Sequence, residues 1–140
     1  MELKRIIVLN LGSTSFKFKY FLFGKKKELL ASGSFENIGD ITSAYSVQLK
    51  ETDVKGSLRC ESHIDAFGKA MDILVDKNVL QSIDNLDAVA YKAVHAGMIY
   101  GARPVDDDLL SAMEKYCPLA PAHNPIYIEM MTRIRDAYPN

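Results

Sequence analysis

The sequence is poor in cysteine, in charge of one sign and in long apolar runs, and each shortage excludes a class of protein. Cys60 and Cys117 are the two cysteines among 140 residues, and neither has ligand-like spacing around it. They read as buried or incidental thiols, which sets aside a disulfide framework or a cysteine metal site. Net charge is −1, so no basic excess suggests nucleic acid as a partner, and an anionic ligand must be held by local geometry. The apolar run Ile6–Leu9 meets polar Asn10 after four residues, too short for a signal peptide or a membrane span. These absences lead to the expectation of a soluble, cytoplasmic protein without membrane attachment.

What is present is an ordinary globular balance, 48% hydrophobic and 25% charged, over a length that suits one domain with a real core. Ile6-Ile7-Val8-Leu9 reads as a buried strand because it is continuous and β-branched. From Phe16 the pattern alternates: Phe16, Phe18, Tyr20 and Leu22 share one face, and Lys17, Lys19, Phe21 and Phe23 the other. Gly24-Lys25-Lys26-Lys27 reads as a solvated turn tip, and Leu29–Phe35 as a third strand of a meander. Ser46–Lys50 and Gly56–Cys60 read as a further hairpin.

Ser62-His63-Ile64-Asp65 has capping-box spacing, and a helix carrying Ile64, Phe67, Met71, Leu74 and Val75 on one stripe should follow. His63 falls in its exposed first turn. Asp87 to about Val94 reads as a strand ending at His95-Ala96-Gly97. Asp106 should cap a helix bearing Leu109, Leu110, Met113 and Cys117, with Asp107 and Asp108 favouring its dipole. The prolines of Pro118–Pro121 mark a loop, and Asn124 with Pro125 reads as the cap and first residue of a last helix reaching about Ala137. A strand meander followed by helices and a further strand favours α/β.

The stretch VLNLGSTSFKF, residues 8–18, carries the chemical interest. Gly12-Ser13-Thr14-Ser15 is either a plain hairpin turn or a phosphate-handling loop. Its backbone N–H groups and three hydroxyls could cradle phosphate oxygens. Asn10 offers an amide oxygen that could reach Mg²⁺, and Lys17 a point charge for the same phosphate. The pattern is neither a Walker loop nor a dinucleotide-binding glycine loop, and it precedes a strand.

The same stretch resembles the opening signature of the acetate kinase family, which comprises acetate, propionate and butyrate kinases. AVAYKAVHAG, residues 88–97, is similar to the family's His-Arg-Val-Val-His-Gly-Gly segment. PLAPAHNP, residues 118–125, is similar to its Ala-Pro-Leu-His-Asn-Pro segment. Three motifs in the family's order make the resemblance specific. It implies a ribonuclease H-like, actin-like ATPase domain over residues 1–140, with a mixed sheet and helices packed on it. It also implies Mg²⁺-assisted transfer of the γ-phosphoryl group of ATP to a short-chain carboxylate such as acetate.

Carried over residue by residue, Asn10 matches the metal-site asparagine and Lys17 the ATP-contacting lysine. Gly12, Ser13 and Ser15 match the phosphate loop. Lys92 occupies the place of the carboxylate-binding arginine, Val94 and Ala122 line the acyl pocket, and His95 and His123 match cleft histidines. The chain departs from the family where Lys92 replaces arginine, because lysine lacks the bidentate fork. Tyr91 stands for a histidine, Ala96 for a glycine, and Ala122 for a leucine; Leu11 and Thr14 are milder changes.

The resemblance further implies that the catalytic aspartate, the adenosine pocket and a second domain lie beyond Asn140, so no catalytic residue is assigned here. A homodimer is implied for the fuller protein. Two readings follow: the N-terminal part of an acetate kinase-type enzyme, or a non-catalytic relative that binds phosphate, nucleotide or a partner subunit.

Overall fold

The computed structural model describes residues 2–92, 96–97 and 101–139. It has the α/β architecture expected, a six-stranded mixed sheet with three α-helices. Strands β1 (Lys4–Leu11), β2 (Phe16–Phe23), β3 (Lys27–Glu36), β4 (Ser43–Leu49) and β5 (Asp53–Leu58) precede helix α1 (His63–Asp76). Strand β6 (Ala88–Tyr91) and helices α2 (Asp107–Lys115) and α3 (Asn124–Ala137) follow. The sheet order is β5-β4-β3-β2-β1-β6, with β6 parallel to β1. The chain divides into two compact units, residues 1–10 with 14–92, and residues 11–13 with 93–140.

In the first unit, alternation decides the faces. Ile7 and Leu9 of β1 and Phe16, Phe18 and Tyr20 of β2 are buried, while Lys17 and Lys19 point the other way and are exposed. Phe16 is the hub: its ring meets Phe35 at 6.0 Å and Phe67 of α1 at 6.3 Å, both edge-on. A register shift at Tyr20/Phe21 ends the simple alternation, which is why Leu22 is only half-buried. Lys27 ends the lysine-rich turn over the Phe21 ring, 5.4 Å from its centroid.

Helix α1 starts as the sequence predicts. The Ser62 hydroxyl accepts from the Asp65 N–H at 3.2 Å, and the Asp65 carboxylate accepts from the Glu61 N–H at 3.1 Å. Its buried stripe is Ala66, Phe67, Ala70, Met71 and Leu74. Ile64 is half-buried and Val75 is exposed, so the predicted stripe is rotated toward the two alanines. The β4–β5 hairpin begins earlier than expected, at Ser43, and turns at residues 50–52, where Thr52 accepts from the Leu49 N–H at 2.9 Å.

In the second unit, Asp106 caps α2 by accepting from the Leu109 N–H at 2.8 Å. That bond, helped by Arg103, holds the Asp106 carboxyl below its usual range. Helix α2 ends at Lys115, so Cys117 lies in a short 3₁₀ turn, Cys117–Leu119, and not on the helix. Asn124 is not the cap of α3. His123 holds that position without a side-chain cap, and Asn124 is the first helical residue. The Asn124 side chain is buried and donates to the Met113 carbonyl at 2.9 Å, joining α3 to α2. Arg135 and Asp107 close the other end of the pair at 2.9 Å. Both cysteines are free, Cys60 buried and Cys117 half-buried.

Candidate functional site

The strand alternation that buries Phe16, Phe18 and Tyr20 turns Asn10, Lys17 and Lys19 to the opposite face of the sheet. Lys92 follows β6 directly, and its N–H donates to the Leu9 carbonyl at 2.9 Å. Continuing the parallel register of Leu9 with Tyr91 puts Lys92 level with Asn10. The result is one cavity of about 420 Å³ within the first unit, lined by Asn10, Lys17 and Lys92 among others. Residues 10, 17 and 92 are thus brought together from three strand ends.

The cavity is electrostatically one-sided. Lys17, Lys19 and Lys92 line it, and no carboxylate does. Among the described residues none of these three lysines makes an ion pair, whereas Lys4 and Lys50 both pair with glutamates. Three ammonium groups without a counter-charge in one hollow attract an anion, and low-dielectric walls such as Val8 and Phe21 strengthen that attraction.

The loop at residues 12–15 connects β1 to the neighbouring β2, so it is a hairpin connection whatever else it does. Ser13 and Thr14 are exposed, and Gly12 and Ser15 half-buried. Its two ends are tied down within different units. In the first, the Ile38 N–H donates to the Thr14 carbonyl at 2.9 Å. In the second, the Leu11 N–H donates to the buried hydroxyl of Tyr127 at 2.9 Å. Burial raises the Tyr127 hydroxyl above its usual range, and the Leu11 bond opposes this in part.

The remaining candidates sit elsewhere. Ala122 is exposed and His123 half-buried at the start of α3, in the second unit with Gly12 and Ser13. Val94 and His95 lie outside the described residues. Tyr91 is half-buried on β6, and burial raises its hydroxyl, so it is neutral at physiological pH. The residues present do not make a magnesium site by themselves. Asn10 offers one carboxamide oxygen, no carboxylate lines the cavity, and no metal-binding group of three or more His, Cys, Asp or Glu occurs among the described residues.

Sequence reasoning missed Ser32, Ser34 and Gln48 as cavity residues. Their signal is the register, Lys17 opposite Ser34, Lys19 opposite Ser32, and Ser32 opposite Gln48, which a single sequence does not reveal. Lys19 was legible as a neighbour of Lys17 on one face, though not as part of the site.

This fold has close counterparts among solved proteins. It superposes on a crystal structure of Porphyromonas gingivalis acetate kinase with a TM-score of 0.84 and 26% identity, covering 98% of this chain and 35% of that one. A propionate kinase from Francisella tularensis gives a TM-score of 0.80 and 27% identity over the same shares. The architecture is therefore that of the actin-like ATPase fold as acetate and propionate kinases use it.

In sequence, the acetate kinase of Helicobacter acinonychis is 31% identical over 140 residues, covering 96% of this chain and 35% of its own length. That of Macrococcus caseolyticus is 29% identical over 139 residues, covering 99% and 35%. The Acetokinase family model matches residues 5–140, and the chain belongs to that family. It spans about a third of the length of the curated relatives it matches.

Proposed function

We propose that the chain is the N-terminal, ribonuclease H-like part of an acetate kinase-type phosphotransferase, whose substrates are ATP and a short-chain carboxylate such as acetate. The convergence of Asn10, Lys17 and Lys92 on one unpaired cationic cavity carries this reading. In the reaction, a carboxylate oxygen attacks the γ-phosphorus as the bond to ADP breaks, giving an acyl phosphate. Such transfer needs positioning and charge neutralisation more than covalent help.

Lys17, with the Gly12, Ser13 and Ser15 loop, would neutralise and orient phosphate oxygens. Lys92 would hold the carboxylate as a single point charge, a looser grip than an arginine fork. Asn10 would lend its amide oxygen to a Mg²⁺ that arrives with the phosphates. Val94 and Ala122 would border the acyl group, with His95 and His123 in the cleft. The catalytic aspartate, the adenosine pocket and the remaining phosphate-stabilising groups are assigned to a second domain, and a homodimer to the fuller protein.

The test is an acyl hydroxamate assay on the native gene product purified from its own cells. Acetyl phosphate formation that falls at least about tenfold in Lys17→Gln is the expected result. Activity indifferent to Lys17 would overturn the reading. Lys92 favours a second reading, a non-catalytic relative that binds phosphate, nucleotide or a partner subunit. Under that reading Lys92→Arg creates no activity, whereas a large gain identifies a weakened enzyme.

A further inference from the structure

The second row of residues lining the cavity has no role in the reading above. Lys19 stands two residues beyond Lys17 on β2, about 7 Å further along the strand. Opposite it in register are Ser32 on β3 and, opposite Ser32, Gln48 on β4. The Ser32 hydroxyl donates to the Gln48 side-chain oxygen at 3.3 Å, and the Gln48 amide donates to Ser46 at 2.6 Å. These two bonds orient the polar row, while Lys19 pairs with nothing among the described residues. Apolar Val8 lines the same hollow.

A cationic upper row, an apolar patch and a second cationic row match a small acid with anionic groups at both ends and a short aliphatic spacer. We propose that this cavity takes a dicarboxylate, one carboxylate at Lys92 and the other at Lys19. The inference rests on the carboxylate reading of Lys92 and makes Lys19 a specificity-determining residue for the acid. A polyphosphate chain would use the same charges but gains nothing from Val8. The apolar patch therefore favours the acid.

Glutarate and valerate have the same carbon count and differ in one terminal carboxylate, so they isolate the effect of the second charge. Their binding to the chain is measured by amide chemical-shift titration at low ionic strength. Glutarate binds at least about tenfold tighter than valerate if Lys19 makes a charge-assisted contact. Lys19→Gln removes that advantage by weakening glutarate far more than valerate, and Lys19→Arg keeps it. The side chain is exposed, so the variants should fold, which circular dichroism checks.

Equal glutarate affinity in the wild type and Lys19→Gln overturns the proposal. So does a Lys19 dependence found for tripolyphosphate and not for glutarate, because the row then serves phosphate. Valerate binding that is indifferent to Lys92→Gln sinks the carboxylate reading itself, whatever Lys19 does.

Discussion

The hydroxyl of Tyr127 is the most exposed point of failure in the loop's support, and removing it gives a clean test. Tyr127→Phe keeps the ring and deletes one oxygen. That oxygen accepts from the Leu11 N–H at 2.9 Å, and both residues are buried, at 1% and 2% exposure. No water reaches the orphaned N–H, so the variant bears the desolvation penalty of an unpaired donor, about 1–3 kcal/mol. If the penalty is relieved by local opening, the Leu11 amide exchanges roughly 5- to 150-fold faster, at tenfold per ~1.4 kcal/mol.

Hydrogen exchange resolved by residue reads this directly, and urea unfolding gives the total cost. The effect should centre on Leu11 and spread to Gly12 and Ser13, which follow it. An unchanged Leu11 exchange rate together with an unchanged urea midpoint would refute the reasoning. It would mean the bond is not made in solution.

Further predictions rest on other contacts. In Gly33→Ala the new methyl would come within 2.6 Å of the Phe18 ring, so overpacking should destabilise by about 1–3 kcal/mol in urea unfolding and weaken anion binding in the adjoining cavity. Ser62→Ala removes the cap of α1 and should lower stability by about 1 kcal/mol, read from the same transition. Alkaline titration should destabilise the fold through Tyr91, Tyr127 and Tyr20, whose hydroxyls burial raises above the ordinary value of 10.0. Their contribution is complete below pH 10.0 and is lost as pH climbs from there toward the raised folded values, so thermal melts should fall steeply above that point. In Tyr127→Phe the alkaline decline should be shallower.

Local physics made much of this molecule legible. The strands carry their faces in a two-residue period, so the sequence alone puts Phe16, Phe18 and Tyr20 inside and Lys17 and Lys19 outside. Ser62 and Asp106 announce their helices because a cap is a contact with residues three positions away. Asn124 misled for the same reason: its type and the following proline suit a cap, but a tertiary bond to the Met113 carbonyl uses the side chain instead. The bulge at Tyr20/Phe21 and the rotation of the α1 stripe toward Ala66 and Ala70 are likewise settled by packing against distant strands.

The site shows the same division. Asn10 and Lys17 could be found from a motif of eleven residues, because their partners are near in sequence. Lys92 needed the family resemblance, since its approach to Asn10 depends on β6 joining the sheet beside β1. Ser32, Ser34 and Gln48 enter the cavity through antiparallel register alone. Nothing in their own sequence neighbourhood distinguishes them from ordinary polar positions on a strand.

Amide chemical-shift mapping of the 15.6 kDa chain with inorganic phosphate and with acetate tests the cationic cavity most directly. Phosphate should shift Lys17, acetate should shift Lys92, and both should move Asn10. Lys17→Gln should abolish the phosphate response and leave the acetate response in place. Shifts confined to other faces, or none at either ligand, would contradict the assignment of this cavity as the anion site.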